Sequence, residues 1–255
     1  MREMMSCALD GIGLLDLDES IYIENIQEEA AIDHEKAKRA GYGTFPLNRP
    51  GRESVTVTVT FMVKKRDRTA RMAVIEKVRG WASEGWLTVN TRPGRRLYVF
   101  CTEPPAFETF DWTARMEIGF TAYGEAYWQE TVPLSVSSSS AVSSDTRVIT
   151  PRGTKDCFLE AQITPSGGTL TAVSVTVGTQ TLTLSGLSVT QAAPLRIYYD
   201  ELHLLHIESG NGSLLSKRSA ESADDIILTA GQANTVILTF SCACSYTIQA
   251  RGMWR

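Results

Sequence analysis

The sequence predicts a mainly β protein with two domains, an α+β domain followed by an all-β sandwich. Residues 54–63 read SVTVTVTFMV, where apolar residues alternate with threonine or methionine, which is the period of a strand with one buried face. After the basic turn KKRDR, the residues TARMAVIEKVRGWASEG change to the spacing of an amphipathic helix. From about residue 147, short strand-like segments separated by turn residues recur roughly every 8–12 residues, as in sandwiches.

The first strong strand leads directly into a helix. Apolar residues fall on one stripe, which predicts that the helix packs on the sheet. The stripe comprises Met72, Ile75, Val78 and Ala82, with Val74 and Trp81 flanking them. Asp67 is the expected N-cap and Gly85 the expected C-cap glycine. The segment therefore reads strand, turn, helix.

The remaining elements of the first domain are predicted to be strands. Partial alternation at Ile21 and Ile23 favours a strand over 21–39, although the later residues are also good helix formers. WLTVNT and RRLYVFCTE flank the turn RPGR and predict a hairpin. A further long strand is expected to place these residues on one face: Trp112, Ala114, Met116, Ile118 and Phe120.

Composition sets the expected domain boundaries. Residues 1–130 are densely charged and form the predicted α+β domain, whereas residues 147–255 are rich in Ser, Thr, Val, Leu and Gly. Residues 131–146, TVPLSVSSSSAVSSDT, are predicted to be a Ser-rich linker, with an edge strand in their first half as the alternative. In the sandwich, LTAGQANTVILTF predicts a hairpin whose reversal is bracketed by Gly231 and Asn234.

The charge distribution argues against nucleic acid as a partner. The net charge is -4, and residues 1–130 carry 17 Lys and Arg against 20 Asp and Glu, while the remainder carries 8 against 9. One basic cluster, at the strand-to-helix turn, is expected to be a solvated turn because it lacks interleaved aromatics: Lys64, Lys65, Arg66, Arg68 and Arg71.

Neither a membrane span nor a secretory signal is expected. The chain has no run of eighteen apolar residues, and acidic residues interrupt its N-terminal region. Its five cysteines are odd in number and scattered, which predicts reduced thiols in a cytosolic compartment.

The residues that usually carry chemistry are sparse. His203 and His206 are three apart in a predicted strand, so they should point to opposite faces and share no metal. Cys242 and Cys244 share a strand face but are expected to be small buried hydrophobes. Nucleophile and phosphate-loop motifs are absent from the sequence. We therefore expect no catalytic residue, no metal site, no cofactor and no enzymatic activity, with a cell-wall hydrolase as a remote alternative.

The order of the segments resembles a known family. LLDL and YIENI, a glycine–proline turn, GRESVTVTVTFMV, a helix ending in GWASEGWL, then RPGRRLYVFCTEPP and FTAYGEAYW resemble the N-terminal domain of siphophage distal tail proteins, the Dit family. The second half, from LTAGQANTVILTF to YTIQARGMWR, is similar to the galectin-like domain of that family.

This resemblance implies a structural protein of the phage tail tip. It implies a homohexameric ring of N-terminal domains that joins the tail tube protein to the tail-associated or baseplate hub protein, with the tape measure protein as a further partner. Assembly would take place in the host cytoplasm, and the final location would be the virion tail tip. The expected ring interface comprises a hairpin, strand edges and a threonine face: Phe45, Leu47, Arg49, Arg52, Thr56, Thr58 and Thr60.

A carbohydrate-binding protein used in host adhesion is the alternative function. Sugar sites usually present an exposed aromatic ring, and the second domain has few aromatic residues. Tyr198 and Tyr199 are the candidates, because neighbours in a strand face opposite ways and one of them can be exposed.

Overall fold

The computed structural model describes residues 5–33, 36–39, 43–46, 51–101, 103, 105–123, 126–138, 140–201, 203–210 and 212–254. The chain divides into two compact units, Met1–Trp128 and Gln129–Arg255. Strands predominate in both units, which confirms the predicted mainly β fold class.

The first unit contains ten strands and one α-helix among its described residues. In chain order they are β1 (Cys7–Leu9), β2 (Ile12–Gly13), β3 (Ile21–Asp33), β4 (Lys36–Arg39), β5 (Gly43–Pro46), β6 (Gly51–Lys64), α1 (Arg68–Trp81), β7 (Gly85–Val89), β8 (Arg95–Val99), β9 (Ala106–Phe110) and β10 (Thr113–Tyr123). A short 3-10 turn covers Leu14–Asp16. Strand β11 (Trp128–Glu130) lies where the chain passes from the first unit to the second.

The central sheet of the first unit is antiparallel, in the order β3-β6-β10-β9. Its register places buried residues opposite one another along the whole contact between β6 and β10: Val55 with Ala122, Val57 with Phe120, Val59 with Ile118, Phe61 with Met116 and Val63 with Ala114. The alternation in the sequence is therefore matched by its partner strand, and one face of the sheet forms the core of the unit.

Helix α1 covers the buried face of this sheet. Ile75 and Val78 of the predicted stripe are buried, and so is the flanking Val74. The Trp81 ring meets the Phe120 ring edge to face, with centroids 5.9 Å apart. Asp67 caps the helix as predicted, because its carboxylate accepts a hydrogen bond from the amide of Ala70.

The prediction that Gly85 caps the C-terminal end of the helix is wrong. The helix ends at Trp81, and Gly85 opens strand β7 with φ +155°. A Cβ at Gly85 would collide with the carboxylate of Asp10, which accepts a hydrogen bond from the amide of Trp86 at 2.8 Å. This glycine is needed for the close approach of Asp10 and not for ending a helix.

Strands β2, β1, β7 and β8 form a second antiparallel arrangement in the first unit. The predicted hairpin is present, since β7 pairs with β8 around the turn at RPGR. Arg95 donates its amide to the carbonyl of Arg92 at 3.2 Å, with Gly94 at φ +71°. Pro93 and Gly94 thus occupy the two central positions that suit a type II turn.

The second unit is built from strands among its described residues, with one 3-10 turn at Leu215–Lys217. The strands are β12 (Leu134–Ser137), β13 (Val142–Ile149), β14 (Cys157–Pro165), β15 (Leu170–Val177), β16 (Gln180–Val189), β17 (Leu195–Tyr199), β18 (Leu205–Ser209), β19 (Gly212–Ser213), β20 (Ile227–Leu228), β21 (Asn234–Ala250) and β22 (Met253–Trp254).

Strand β21 organises the second unit. Its first part pairs with β13 and β15, and its second part pairs with β12 and β14, so one strand serves two half-sheets. Alternate residues of β21 are buried in a single row: Val236, Leu238, Phe240, Cys244, Tyr246, Ile248 and Ala250. Because that row continues through both half-sheets, both buried faces border the same core, as in a β-sandwich.

The bend in β21 is held by side-chain hydrogen bonds. Strand β15 pairs with β21 as far as Phe240, and β14 takes over from Cys244. At the bend, the Ser241 hydroxyl accepts hydrogen bonds from the amides of Thr171 and Ala172 at 2.8 and 3.1 Å. Ser241 therefore satisfies two amides where the ladder changes from one half-sheet to the other.

Residues 131–146 do not form the predicted linker. Their described part contributes β12 and the beginning of β13, and both strands pair with β21 inside the second unit. The serine-rich sequence has few apolar groups, and this composition predicted a linker. Its strands form because β21 supplies their backbone hydrogen-bond partners, which local hydrophobicity does not reveal. The edge strand considered as the alternative is the observed structure.

The predicted hairpin at LTAGQANTVILTF is also wrong in its pairing. Strand β20 pairs with β14, and β21 pairs with β12, β13, β14 and β15 but not with β20. The reversal between them is nevertheless tight: Asn234 accepts from the Thr229 amide at 2.9 Å and donates to the carbonyls of Thr229 and Gln232. The sequence correctly indicated a turn here, but it did not indicate which strands pair.

Replacing Phe61 with alanine should cost the first unit about 3–5 kcal/mol of unfolding free energy, because a fully buried ring leaves a cavity. The matched control is Met62→Ala, whose side chain lies on the opposite face and is only half-buried. Urea unfolding followed by circular dichroism measures both. Equal losses in the two variants would contradict the assigned core face.

Candidate functional site

The outer face of the central sheet is polar. Thr56, Thr58 and Thr60 lie on this face in the middle strand β6. Thr56 stands opposite Thr121, with their hydroxyl oxygens 3.4 Å apart, and Thr58 stands opposite Gly119. Thr56 and Thr58 are half-buried, whereas Thr60 is only 8% exposed. The threonine face predicted from the sequence exists, but Thr60 offers little surface for a contact.

The other predicted interface residues belong to the segment between β3 and the middle of β6. Phe45 is in β5 and Arg52 is in β6, and for both the structure describes the backbone alone. Leu47 and Arg49 lie outside the described residues. The ring interface proposed on the family resemblance therefore remains a prediction at these four positions.

The central sheet ends in two unlike edges. Within the described residues, β3 hydrogen-bonds on one side to β6, and β9 on one side to β10. Strand β3 is thirteen residues long, whereas β9 has five. Long edge strands usually pair with another chain or carry protective charges. Here Glu24 pairs with Arg115 at 3.0 Å and Glu28 with Arg92 at 2.9 Å, so both acidic groups are engaged within the chain.

Three exposed aromatic residues, which no sequence pattern marked as a site, lie toward the end of the central sheet where β10 begins. Tyr22, Phe110 and Trp112 are each 55% exposed. Trp112 was predicted on the buried face of a long strand, but it lies in the turn between β9 and β10, because the strand begins only at Thr113. The Lys64 ammonium lies 4.4 Å from the centre of the Tyr22 ring.

The basic turn is partly structural. Lys65 forms an ion pair with Asp18 at 2.9 Å, and Arg71 is buried, donating from its guanidinium to the carbonyl of Lys65 at 2.6 Å. The expectation of a fully solvated cluster is wrong for Arg71, because α1 turns this residue toward the sheet. Hydrogen bonds from Lys65 and Ser20 lower the pKa of Asp18 to about 2.

The two tyrosines proposed as sugar contacts lie on opposite sides of β17. Tyr199 stacks on Phe158, with centroids 4.2 Å apart, and its hydroxyl accepts a hydrogen bond from the amide of Ile226 at 3.0 Å. Burial raises the pKa of Tyr199. Tyr198 lies on the outer face, its ring nearly parallel to that of His206 at 5.1 Å. The alternation of faces predicted for this pair is confirmed.

Tyr198 borders a shallow groove on the outer face of the second unit. Register places side chains of β14, β17 and β21 side by side across this face. The groove is lined by hydrogen-bonding side chains: Glu160, Gln162, Arg196, Tyr198, Thr247 and Gln249. The lining carries both donors and acceptors, with one acidic residue, Glu160, and one basic residue, Arg196, so the groove favours a neutral polar ligand over an ion.

His203 and His206 have separate hydrogen-bond partners. His206 is in β18, with Nε2 3.0 Å from the carboxylate of Asp200. His203 precedes the strand at φ +62°, with its Nε2 3.1 Å from the side-chain amide of Gln129. In the part of the chain that the structure describes, no group of three or more His, Cys, Asp or Glu residues is arranged to hold a metal ion. His34 lies outside that part.

Membrane insertion by a helix has no candidate segment here. Helix α1 has 14 residues, and no helix in the described ranges combines the length and apolar character needed to cross a bilayer.

The two units together define a β protein that matches solved phage proteins over its whole length. The chain aligns with SPP1 Dit, described as a paradigm of the hub adsorption apparatus in Gram-positive infecting phages, at a TM-score of 0.71 and 12% identity, covering 98% of this chain and 99% of that one. It also aligns with a chain of the phage P2 baseplate in its activated conformation with Ca, at a TM-score of 0.53 and 9% identity, covering 98% of both chains.

The same baseplate with Sr gives a TM-score of 0.54, again at 9% identity and 98% coverage of both chains. No family model and no curated protein matches the sequence. At these identities the likeness establishes a common fold, and the resemblance to distal tail proteins noted in the sequence is confirmed at that level.

The Asp18–Lys65 pair should make stability depend on acidity. The folded-state pKa of Asp18, about 2, lies below its ordinary value of 3.8, so the stabilisation is present above pH 3.8 and is lost as the pH falls toward 2. Asp18→Asn should therefore be less stable than the parent at pH 5, and the difference should shrink toward pH 2. Urea titrations at several pH values measure this difference.

Ser20→Ala is the matched variant, because it removes one of the hydrogen bonds to Asp18 and keeps the ion pair. Its effect should have the same sign and be smaller. A stability difference for Asp18→Asn that stays constant from pH 5 to pH 2 would show that this carboxylate is not the titrating group.

Proposed function

We propose that the chain is a structural component of a siphophage tail tip, a distal tail protein that assembles into a homohexameric ring. The observation that carries the proposal is the likeness in fold to SPP1 Dit, which extends through both units and leaves almost no part of either chain unmatched. A likeness confined to one unit would be weak support, because single sandwich folds serve many unrelated functions.

The sheet edges support a ring built from head-to-tail contacts. A ring needs two different complementary surfaces on each copy, so that one copy can accept the next until the rotation closes. The central sheet offers such a pair in its unlike edges, β3 and β9. Pairing between the edges of neighbouring copies would satisfy edge backbone groups for which the described residues show no further strand.

The outer threonine face supports a close contact at the same place. Thr56 and Thr58 are short and β-branched, so little side-chain entropy is lost when a neighbouring chain covers them. Exposed Tyr22, Phe110 and Trp112 at one end supply the large rings that dominate many interfaces. A closed ring of this kind should bury well above ~1,200 Å² at each contact.

The role in the particle follows from the same proposal. The first unit would form the ring. The ring would join the tail tube protein to the tail-associated or baseplate hub protein, near the tape measure protein, after assembly in the host cytoplasm. We propose that the protein has a structural role without enzymatic activity and acts through its binding surfaces.

The ring is tested by light scattering and negative-stain imaging of the purified chain. We expect a particle of six times the 28.0 kDa chain mass with visible ring symmetry. Thr58→Arg should shift the mass to that of single chains, because a long charged side chain in the middle of the outer face prevents close contact. Ser188→Arg, on an exposed strand position of the second unit, is the control and should keep the ring.

A ring that forms equally well with Thr58→Arg would remove the threonine face from the interface. A wild-type protein that stays monomeric alone and also when mixed with tail tube and hub proteins would contradict the proposed ring itself.

The groove beside Tyr198 favours a second candidate function, binding of a neutral saccharide. Its polar floor can pair with hydroxyl groups, and the adjoining ring is of the kind that contacts sugars. Calorimetric titration with simple galactosides should give saturable binding that Tyr198→Ala abolishes, whereas Tyr22→Ala in the first unit leaves it unchanged. Absence of saturable heat with the wild-type protein would remove this candidate.

A further inference from the structure

Two cysteines meet at the bend of β21. The sulfur atoms of Cys242 and Cys244 are 3.8 Å apart, and both thiols are free. Cys244 is fully buried and donates its thiol hydrogen toward the carbonyl of Cys242, while Cys242 is half-buried. Sulfur atoms at this distance are in van der Waals contact, and among the described cysteines this is the one thiol–thiol contact.

The bend explains why residues two apart in a strand bring their sulfurs together. In β13, the register against β21 shifts between Val142, opposite Cys244, and Ser144, opposite Thr239. Extra residues of β21 therefore bulge at the corner, and a bulge tilts neighbouring side chains away from the regular spacing. The hydrogen bonds of Ser241 hold this geometry in place.

We propose that Cys242 and Cys244 form a dithiol site that a low-molecular-weight disulfide, such as oxidised glutathione, converts to an intrachain disulfide. The site is a modification site distinct from the assembly surfaces and from the groove. Its two thiols differ in access, one half-buried and one buried, which assigns them different roles in the exchange.

The exchange balances without any further reactant. The thiolate of Cys242, the more accessible sulfur, attacks one sulfur of oxidised glutathione, whose disulfide bond breaks and releases one glutathione thiolate that takes up a proton. Cys244 then loses its proton, and its sulfur attacks the sulfur of Cys242 and expels the second glutathione. Two protein thiols are oxidised and one glutathione disulfide is reduced to two thiols.

The arrangement favours Cys244 as the second thiol to react. Burial raises the pKa of its thiol to about 12, so it is a poor nucleophile toward reagents in solution. It already touches the sulfur on which the mixed disulfide would form, and closure needs the sulfurs to approach from 3.8 Å to the ~2.05 Å of a disulfide. Proximity then compensates for the high pKa.

The expected consequence is local. A disulfide between residues two apart closes a very short loop, so it restricts the unfolded chain little and adds little to global stability. It would instead hold the corner at which β21 changes half-sheets. A disulfide that closes so short a loop is also easily reduced, which makes the modification reversible.

The timing of oxidation rests on the proposed function. A tail protein is made in a reducing cytoplasm and works outside the cell, so the pair would be reduced during assembly and oxidised afterwards. The chemistry of the pair does not depend on that function. It is measured on the purified full chain in any oligomeric state, so failure here and failure of the ring are separate results.

The test is intact-mass spectrometry of the reduced full-length chain after treatment with oxidised glutathione. We expect the wild-type mass to fall by two hydrogen atoms for this pair, with peptide mapping placing the link between Cys242 and Cys244. Reduction with dithiothreitol should restore the original mass. Cys244→Ser should instead keep a stable glutathionyl group on Cys242, because the second thiol is missing.

Cys242→Ser should show neither the link nor an adduct at Cys244, which is buried. Cys101→Ser is the matched control, since Cys101 is another half-buried cysteine and its loss should leave the link unchanged. The proposal is overturned if the wild-type protein accumulates a stable glutathionyl adduct on Cys242, or if both thiols remain unmodified and open to alkylation. The wild-type result decides the question even if a variant folds poorly.

Discussion

The register between β6 and β10 is the constraint on which the first unit depends. Because side chains alternate along a strand, a slip of one residue would turn the threonines of β6 into the core and its valines into solvent. The observed register instead places five apolar pairs on the buried face and leaves hydroxyl groups on the other side. Helix packing, the polar outer face and the positions of both sheet edges all follow from that one pairing.

The second unit depends on a comparable constraint in a single strand. Strand β21 keeps one row of residues inward while it passes from one half-sheet to the other. Its bend must supply hydrogen bonds for the amides left between two ladders, and Ser241 does so. The same bend brings Cys242 and Cys244 into contact, so the proposed redox site is a consequence of how the sandwich is built.

Each of the two units presents a surface suited to binding. The first unit presents short hydroxyl side chains with three exposed rings toward one end of the sheet, and the second presents a groove lined by donors and acceptors. These surfaces differ in what they can bind. Large rings beside a flat polar face suit a protein partner, whereas a polar groove without an apolar centre lacks the core typical of protein interfaces.

Residue spacing and residue type predicted several local features of the structure. Alternation predicted β6 and its faces, spacing predicted α1, and Asp67 and the RPGR turn were identified by residue types whose backbone preferences are intrinsic. The sequence also determined that Tyr198 and Tyr199 face opposite ways. These features depend on residues a few positions apart, and periodicity reports such relations directly.

The pairing of distant segments could be read from the three-dimensional structure but not from the sequence. In the structure, the serine-rich residues 131–146 contribute strands, and β20 pairs with β14. Trp112 lies in a turn, and Gly85 lies beside Asp10. The structure also decided which of the two tyrosines borders the groove. Strand partners and close approaches join residues far apart in the chain, and a local pattern carries the period of a strand but no information about its neighbour.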